Sequence, residues 1–423
     1  MTAALSLIFI FSYAAIALEH LIKANKSATA IVGAGVLWAT YALMSADTHV
    51  LSEEVSETIA GTAQIIFFLI GAMTIVEVID AHQGFDVVTS KIKTKSLSVL
   101  LLIVSVITFF LSAALDNLTT TIVMVSLLKK LIDTKEHRLF FAGIIVIAAN
   151  SGGAWSPIGD VTTTMLWIGG QITSYNIITS LFLPSVVSLA IPLLIAMAML
   201  RSETLVTPKP IEQSHHISTS PKERNVVFFL GLGILIAVPI FKSITHLPPF
   251  MGMLLGLGVL WLVGDFLHNE KSDEDKANLE ITAALSRIDM PSIVFFIGIL
   301  FMVGTLEHAH ILTSLSQWLD QVVGRQDVIV FIIGLASAIV DNVPLVAAAI
   351  GMYDIQTYPT DSFLWEFLAY CAGTGGSVLI IGSAAGVAAM GIERINFVWY
   401  LKKISLLAFV GYLGGALTYL ALQ

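Results

Sequence analysis

A chain of 423 residues that is 56% hydrophobic and only 12% charged carries about half the charge of an ordinary soluble domain, so no separate soluble domain fits within it. Its net charge of −9 makes nucleic acid an unsuitable partner. A single cysteine, Cys371, excludes an intramolecular disulfide and any zinc or iron-sulfur centre built from thiolates.

A membrane-crossing helix needs about 20 mostly apolar residues. The first such run starts at residue 3 with neither a basic leader nor a small-residue cleavage pattern, so a multi-pass protein of a bacterial-type inner membrane is expected. Crossings are predicted at 3–18 and 28–46. The acidic stretch Asp47 to Glu57 follows, and 48–60 reads as a short interfacial helix ahead of a crossing at 61–80. Residues 97–131 are apolar at both ends but hold Asp116 and Asn117 in the middle. An ionised carboxylate at membrane depth costs at least ~2.5 kcal/mol, so this stretch is predicted to enter the membrane and turn back at that pair. The run 139–168 contains NSGGAWSPIGD, whose Gly152, Gly153, Pro157 and Gly159 interrupt a regular helix. A crossing at 177–200 completes this half, and 201–224, rich in Pro, Ser, His and charge, is the predicted cytoplasmic linker.

The remaining chain follows the same order. Crossings at 225–243 and 249–267 lead to a charged, interfacial 268–289 and a crossing at 291–312. A second turning segment, 326–353, carries Asp341 and Asn342; a second broken run, 363–391, carries GTGGSVLIIGS; a crossing at 404–422 follows. IIFFLIG at 65–71 echoes IVFFIG at 293–298, LSAALDN at 111–117 echoes LASAIVDN at 335–342, and the two glycine-rich breaks come next, all at an offset of about 225 residues. The expected fold is therefore an all-α polytopic membrane protein with two inverted-topology repeats, 48–200 and 268–423. Each holds a re-entrant helical hairpin and a broken transmembrane helix, with scaffold helices in 1–47 and 225–267. Charge placement agrees. If both hairpins return, nineteen of the 21 Lys and Arg residues share one side and only Lys242 and Arg325 the other, as the positive-inside bias requires.

Asp116 and Asp341 are candidate cation- and proton-binding groups, because Asn117 and Asn342 beside them can turn an amide oxygen to a cation or an NH2 to the carboxylate. Thr119 adds a hydroxyl to the first motif; Pro344 suits the start of a returning half-helix in the second. Each Asp can equally cap that second arm. In the breaks, Asn150, Ser151, Ser156, Thr374 and Ser377 supply oxygens, and unwinding frees the carbonyls of Gly152, Gly153, Gly375 and Gly376. Hard cations such as sodium take ligand sets of this kind. Asp160, followed by Thr162 and Thr163, stands where the first break resumes its helix, as ligand or as cap. Glu77, Asp80 and His82, then Glu307, His308 and His310, occupy the trailing ends of two equivalent helices, and with Glu19 and His20 are expected to be hydrated near a bilayer edge. His82, His308 and His310 are candidate pH sensors. No Lys or Arg is expected at membrane depth. No G-x-S-x-G, HExxH or phosphate-loop pattern occurs, so neither an enzyme nor a cofactor is implied.

ALDNLTTTIV at 114–123, ANSGGAWSPIGDVTTTMLW at 149–167 and AIVDNVPLVAAA at 338–349 resemble the NhaD type of sodium/proton antiporter in the ion transporter superfamily. The resemblance implies exchange of sodium, or lithium, for protons in salt and pH homeostasis, an elevator-like motion of hairpins and broken helices, and a homodimer. It carries a pocket over to Asp116, Asn117, Asn150, Asp160, Thr162 and Thr163, and to Ser337, Asp341, Asn342 and the turn from Thr374 to Ser377, with sodium at Asp116, Asn117, Asp160, Asp341 and Asn342. Ser383 stands where symmetry with Asp160 asks for an acid, which puts the primary sodium site in the first half. Related dicarboxylate carriers place Ser-Asn-Thr at the hairpin tip. A sodium-coupled carboxylate, anion or metalloid permease of the same fold is the alternative, and a channel is disfavoured because paired breaks suit alternating access.

Overall fold

The structure, a computed structural model, describes all residues except 18–21, 46–47, 90–93, 95, 202, 204–218, 270, 272–275 and 340. Glu19, His20 and most of the 201–224 linker lie outside the described residues. The chain opens with α1 (Thr2–Ala17), α2 (Lys26–Met44) and α3 (Thr48–Ala81). The last is a correction to the expected interfacial helix at 48–60: nothing before Gly61 interrupts the pattern, and α3 continues unbroken for 34 residues, about 51 Å at 1.5 Å per residue.

A short α4 (Asp86–Thr89) precedes α5 (Leu97–Leu115) and α6 (Asn117–Leu131), which are separated by Asp116 alone and pack on one another. Next come α7 (Lys135–Ala154) and α8 (Val161–Ile168), with residues 155–160 unwound between them, then α9 (Ser174–Met199). A Ser220–Glu223 capping box and Pro221 start α10 (Pro221–Thr245). It is followed by α11 (Pro249–His268), α12 (Ile281–Arg287), α13 (Met290–His308) and α14 (Ile311–Val322). A second pair, α15 (Gln326–Ala336) and α16 (Asn342–Met352), is followed by α17 (Phe363–Gly375) and α18 (Ala384–Glu393) across another unwound stretch. Last come α19 (Phe397–Lys403) and α20 (Ser405–Leu422).

Eight helices among the described residues are long and apolar enough to cross a membrane, which makes this a multi-pass membrane protein. The helices sort by contact into two groups. In one, α1, α2, α3, α10, α11 and α13 pack together, and Ser27 Oγ donates to Pro291 O (2.7 Å) while Trp38 Nε1 donates to Phe301 O (3.0 Å), tying α2 to α13 along its length. In the other, α5 and α6 lie on α7, α15 lies on α17, and α9 joins α20.

The two unwound stretches are held in matching ways. A Cβ on Gly152 would lie 2.2 Å from Phe109 O, and one on Gly375 would lie 2.1 Å from Gly334 O. Both glycines therefore exist to let the preceding helix pair touch the broken helix backbone to backbone. Ser112 Oγ donates to Ala149 O (2.6 Å) and Ser337 Oγ to Ala372 O (3.0 Å) at the same joints. In turn α6 packs on α18 and α16 on α8, so each returning arm meets the helix that resumes after the other half's break.

Candidate functional site

Four helix starts converge here, and each begins with a polar cap. Asp116 accepts from Thr119 N (2.8 Å) and Thr119 Oγ1 (2.9 Å) at the head of α6. Asp160 accepts from Thr162 N and Thr162 Oγ1, both 2.9 Å, at the head of α8. Asp341 accepts from Val343 N (3.3 Å) at the head of α16, and Ser383 Oγ from Gly386 N (3.2 Å) at the head of α18. Unpaired N–H groups and the helix dipole favour negative charge at each position.

Asp160 is the centre of the cluster. It is 1% exposed, yet its carboxylate is surrounded by donors: Asn117 Nδ2 reaches Oδ2 at 2.6 Å, and Asn342 Nδ2 lies 3.4 Å from both oxygens. Asn117 Nδ2 also donates to Asn150 Oδ1 (3.0 Å), whose own amide donates to Ser377 Oγ and Ser383 Oγ at 2.9 Å each. One continuous network thus joins both Asp-Asn motifs and both breaks, and Asp116 and Asp341 are near enough to interact electrostatically with Asp160.

The two remaining carboxylates face outward from this network. Asp116 has φ 88° and ψ 159°, a region that is essentially restricted to glycine and costs about 1–3 kcal/mol for other residues. It lines a cavity of about 20 Å³ with Phe68, Leu69 and Met73 of α3, room for one water. In the next turn the hydroxyls of Thr120 and Thr121 are buried with no partner among the described residues. Asp341 turns its Oδ2 to Lys26 Nζ at 3.8 Å. Lys26 lies at a helix end in the sequence, and its long side chain reaches the second tip.

Other predicted ligands are arranged differently. Thr163 Oγ1 bonds Asp160 O (2.9 Å) and Thr374 Oγ1 bonds Tyr370 O (2.6 Å), both satisfying the backbone. Ser151 meets Ser188 (3.2 Å), and Ser156 holds Ala113 O (2.5 Å). Of the glycine carbonyls, Gly153 O accepts from Ser156 N and Gly375 O from Val378 N; Gly152 and Gly376 are packed against Phe109 and Gly382 backbone. Ser383, Ser112 and Lys26 belong to the site or its joints without having been singled out as ligands. The offset of the second break already pointed to Ser383, as the counterpart of Asp160.

Of the histidines, His82 overturns its expected hydration. It is fully buried, with Nδ1 2.7 Å from Val78 O and Nε2 2.9 Å from His268 Nε2. His308 lies 3.2 Å from Thr58 Oγ1 and with Glu57, Thr62 and Glu307 lines a cavity of about 250 Å³ between α3, α13, α8 and α16. His310 is exposed with φ 57°. Glu77 is paired with Arg287 at 2.6 Å.

A family described as citrate transporter matches residues 13–373. Sodium/proton antiporter 1 of Arabidopsis thaliana is 49% identical over 99% of this chain and 72% of its own length. Sodium/proton antiporter 2 of the same plant is 47% identical over 99% of both chains. The Na(+)/H(+) antiporter NhaD of Vibrio cholerae is 30% identical over 94% of this chain and 87% of its own. With the Asp-Asn tips and glycine breaks joined in one buried network and these matches running along nearly the whole sequence, the chain belongs to the ion transporter superfamily and is a transporter of the NhaD sodium/proton antiporter type, not an enzyme.

Proposed function

We propose that the protein exchanges sodium for protons, with lithium as a sodium substitute, through the buried carboxylate of Asp160 and the tip carboxylates of Asp116 and Asp341. The observation that carries this reading is the convergence of Asn117 and Asn342, one from each helix pair, on the single buried carboxylate of Asp160. Their amides donate to Asp160. A half-turn of each amide about its terminal torsion replaces two N–H donors by two oxygens, and together with Asp160, Thr162 and Asn150 these make an oxygen shell suited to a dehydrated alkali cation. A carboxylate that holds a cation does not hold a proton, so competition for the same oxygens couples the two fluxes.

The matching joints at Gly152 and Gly375, the paired serines Ser112 and Ser337, and the exchange of contacts between α6 and α18 and between α16 and α8 support two inverted repeats with re-entrant hairpins. This group packs more densely within itself than against α1, α2, α3, α10, α11 and α13, which it meets chiefly where α16 lies on α13; that supports its movement against them as a unit, and a homodimer is part of the same proposal. The bilayer is the expected inner membrane of bacterial type, whose proton gradient the exchange would use. The cavity beside Glu57 and Glu307 supplies an acidic approach to α8 and α16.

The family description, citrate transporter, favours a second reading, carboxylate transport, which on this fold would be coupled to sodium. The central carboxylate of Asp160 repels a polyanion, and Lys26 faces Asp341, which leaves that reading without a cationic pocket. Purified protein in proteoliposomes with an internal pH dye separates the two. Sodium or lithium alone should move protons and citrate alone should not; proton movement only when citrate and sodium are added together would select the permease.

A further inference from the structure

Asp341 and Asp116 occupy equivalent tips, but only Asp341 meets a basic side chain among the described residues. Lys26 is the first residue of α2, whose start is fastened to α13 by the Ser27–Pro291 hydrogen bond. The two helices approach so closely that a Cβ on Gly298 would lie 2.6 Å from Ala30 backbone, so Lys26 projects from a rigid platform. Its ammonium sits 4.7 Å over the Phe295 ring of α13 and 3.8 Å from Asp341 Oδ2.

That second distance is longer than the 2.7–2.9 Å of a direct charge-assisted hydrogen bond. The side chains of Lys26 and Asp341 remain 28% and 18% exposed. A loose, water-accessible pair of this kind contributes only about 0–1 kcal/mol, too little for a structural clamp. It is well suited to a counter-charge that must be displaced, with the Phe295 face as a second resting place for the ammonium. Asp341 Oδ1 is engaged as the cap of α16, which leaves Oδ2 as the oxygen for which a cation and Lys26 compete.

We propose that Lys26 is a tethered competitor of the transported cation: its ammonium occupies the Asp341 carboxylate in the absence of sodium, and sodium binds at this tip by displacing it. Lys26 is thus a positioning residue that sets sodium affinity without being a ligand. The inference rests on Asp341 being part of the exchange site.

Sodium-driven proton movement by the full-length protein in proteoliposomes at alkaline pH tests this, with Lys26→Met, Lys26→Arg and Asp341→Asn compared. Lys26→Met should lower KM for sodium about two- to fivefold, the scale of removing a competing pair of this exposure, with no rise in maximal rate. Lys26→Arg should restore the wild-type KM to within about twofold, since it restores the charge. Calorimetric titration of the detergent-solubilised variants with NaCl gives the same comparison if transport is too weak to measure. A Lys26→Met protein whose sodium affinity is unchanged or weaker, with only its thermal stability reduced, overturns the proposal in favour of a structural pair. If Asp341→Asn exchanges ions as the wild type does, it is the placement of Asp341 in the site that fails; if Asp341→Asn is inactive and Lys26→Met is unaltered, only the competitor role fails.

Discussion

The two helix-pair tips share a motif and differ in how they hold it. At the first, Asp116 adopts a backbone conformation that suits glycine, folds its carboxylate onto Thr119, and borders a water-sized space against apolar α3. At the second, Asp341 has an unremarkable φ of −47° and faces a lysine. The breaks differ likewise: the helix after the first is capped by Asp160 and the helix after the second by Ser383. Matching backbone joints with unmatched charges separate two demands on the same motif. The joints require glycine and serine in both halves because backbones must touch there. The charge is concentrated on one half because a second buried carboxylate beside Asp160 would add repulsion that a single monovalent cation does not offset.

The largest expected effect tests that concentration of charge. Asp160→Asn should reduce sodium-dependent proton movement at least about a hundredfold, equivalent to roughly 2.7 kcal/mol of lost binding, while Ser383→Ala, which removes only one of two acceptors of the Asn150 amide, should change it only a few-fold. Comparable losses in both would mean that the two caps share the cation equally. Next come the joints. Gly152→Ala and Gly375→Ala each drive a Cβ to about 2.2 Å or less from a backbone oxygen, and should cost about 2–3 kcal/mol each as overpacked positions, read as equal falls in melting temperature in detergent. Tolerance at one and not the other would undo the equivalence of the two joints.

Much of this arrangement is legible in the chain itself. The Asp-Asn tips and the breaks fall close to where local pattern places them, but not because glycine or proline breaks a helix by itself: Gly152 and Gly153 remain inside α7, with unwinding only from Trp155, and Pro184, Pro192 and the Gly414–Gly415 pair sit in unbroken helices. What escapes is set by partners distant in sequence. His82 pairs with His268 across 186 residues, and Lys26 reaches Asp341 only through the packing of α2 on α13, so neither contact leaves a local trace. The continuation of α3 through Ser52 to Glu57 escapes for the opposite reason: a charged stretch resembles a boundary, yet charge does not end a helix in the absence of a breaking residue. The central standing of Asp160 is obscured because capping and ion binding require the same residue in the same place.

A smaller difference separates the two asparagines. Asn117 approaches Asp160 at 2.6 Å and Asn342 at 3.4 Å, so Asn117→Ala should raise KM for sodium about tenfold, the scale of a hydrogen bond to a charged group, and Asn342→Ala about threefold. The reverse order would place the cation nearer the second tip. The finest test isolates backbone from charge at the tips themselves. Replacing Asp116 by Ala or by Gly removes the same carboxylate and the same cap to Thr119, and the two variants differ only in whether a Cβ must endure φ 88°. Asp116→Gly should therefore be more stable than Asp116→Ala by about 1–3 kcal/mol, although both lose exchange. At Asp341, with φ −47°, glycine gains nothing and adds chain entropy, so Asp341→Gly should be less stable than Asp341→Ala by about 0.5–1 kcal/mol. Opposite signs in the two melting comparisons would assign the strain to the first tip alone, where the backbone aims Asp116 at the α3 wall; equal signs would remove that distinction and leave the side-chain partners, Thr119 at the first tip and Lys26 at the second, to tell the tips apart.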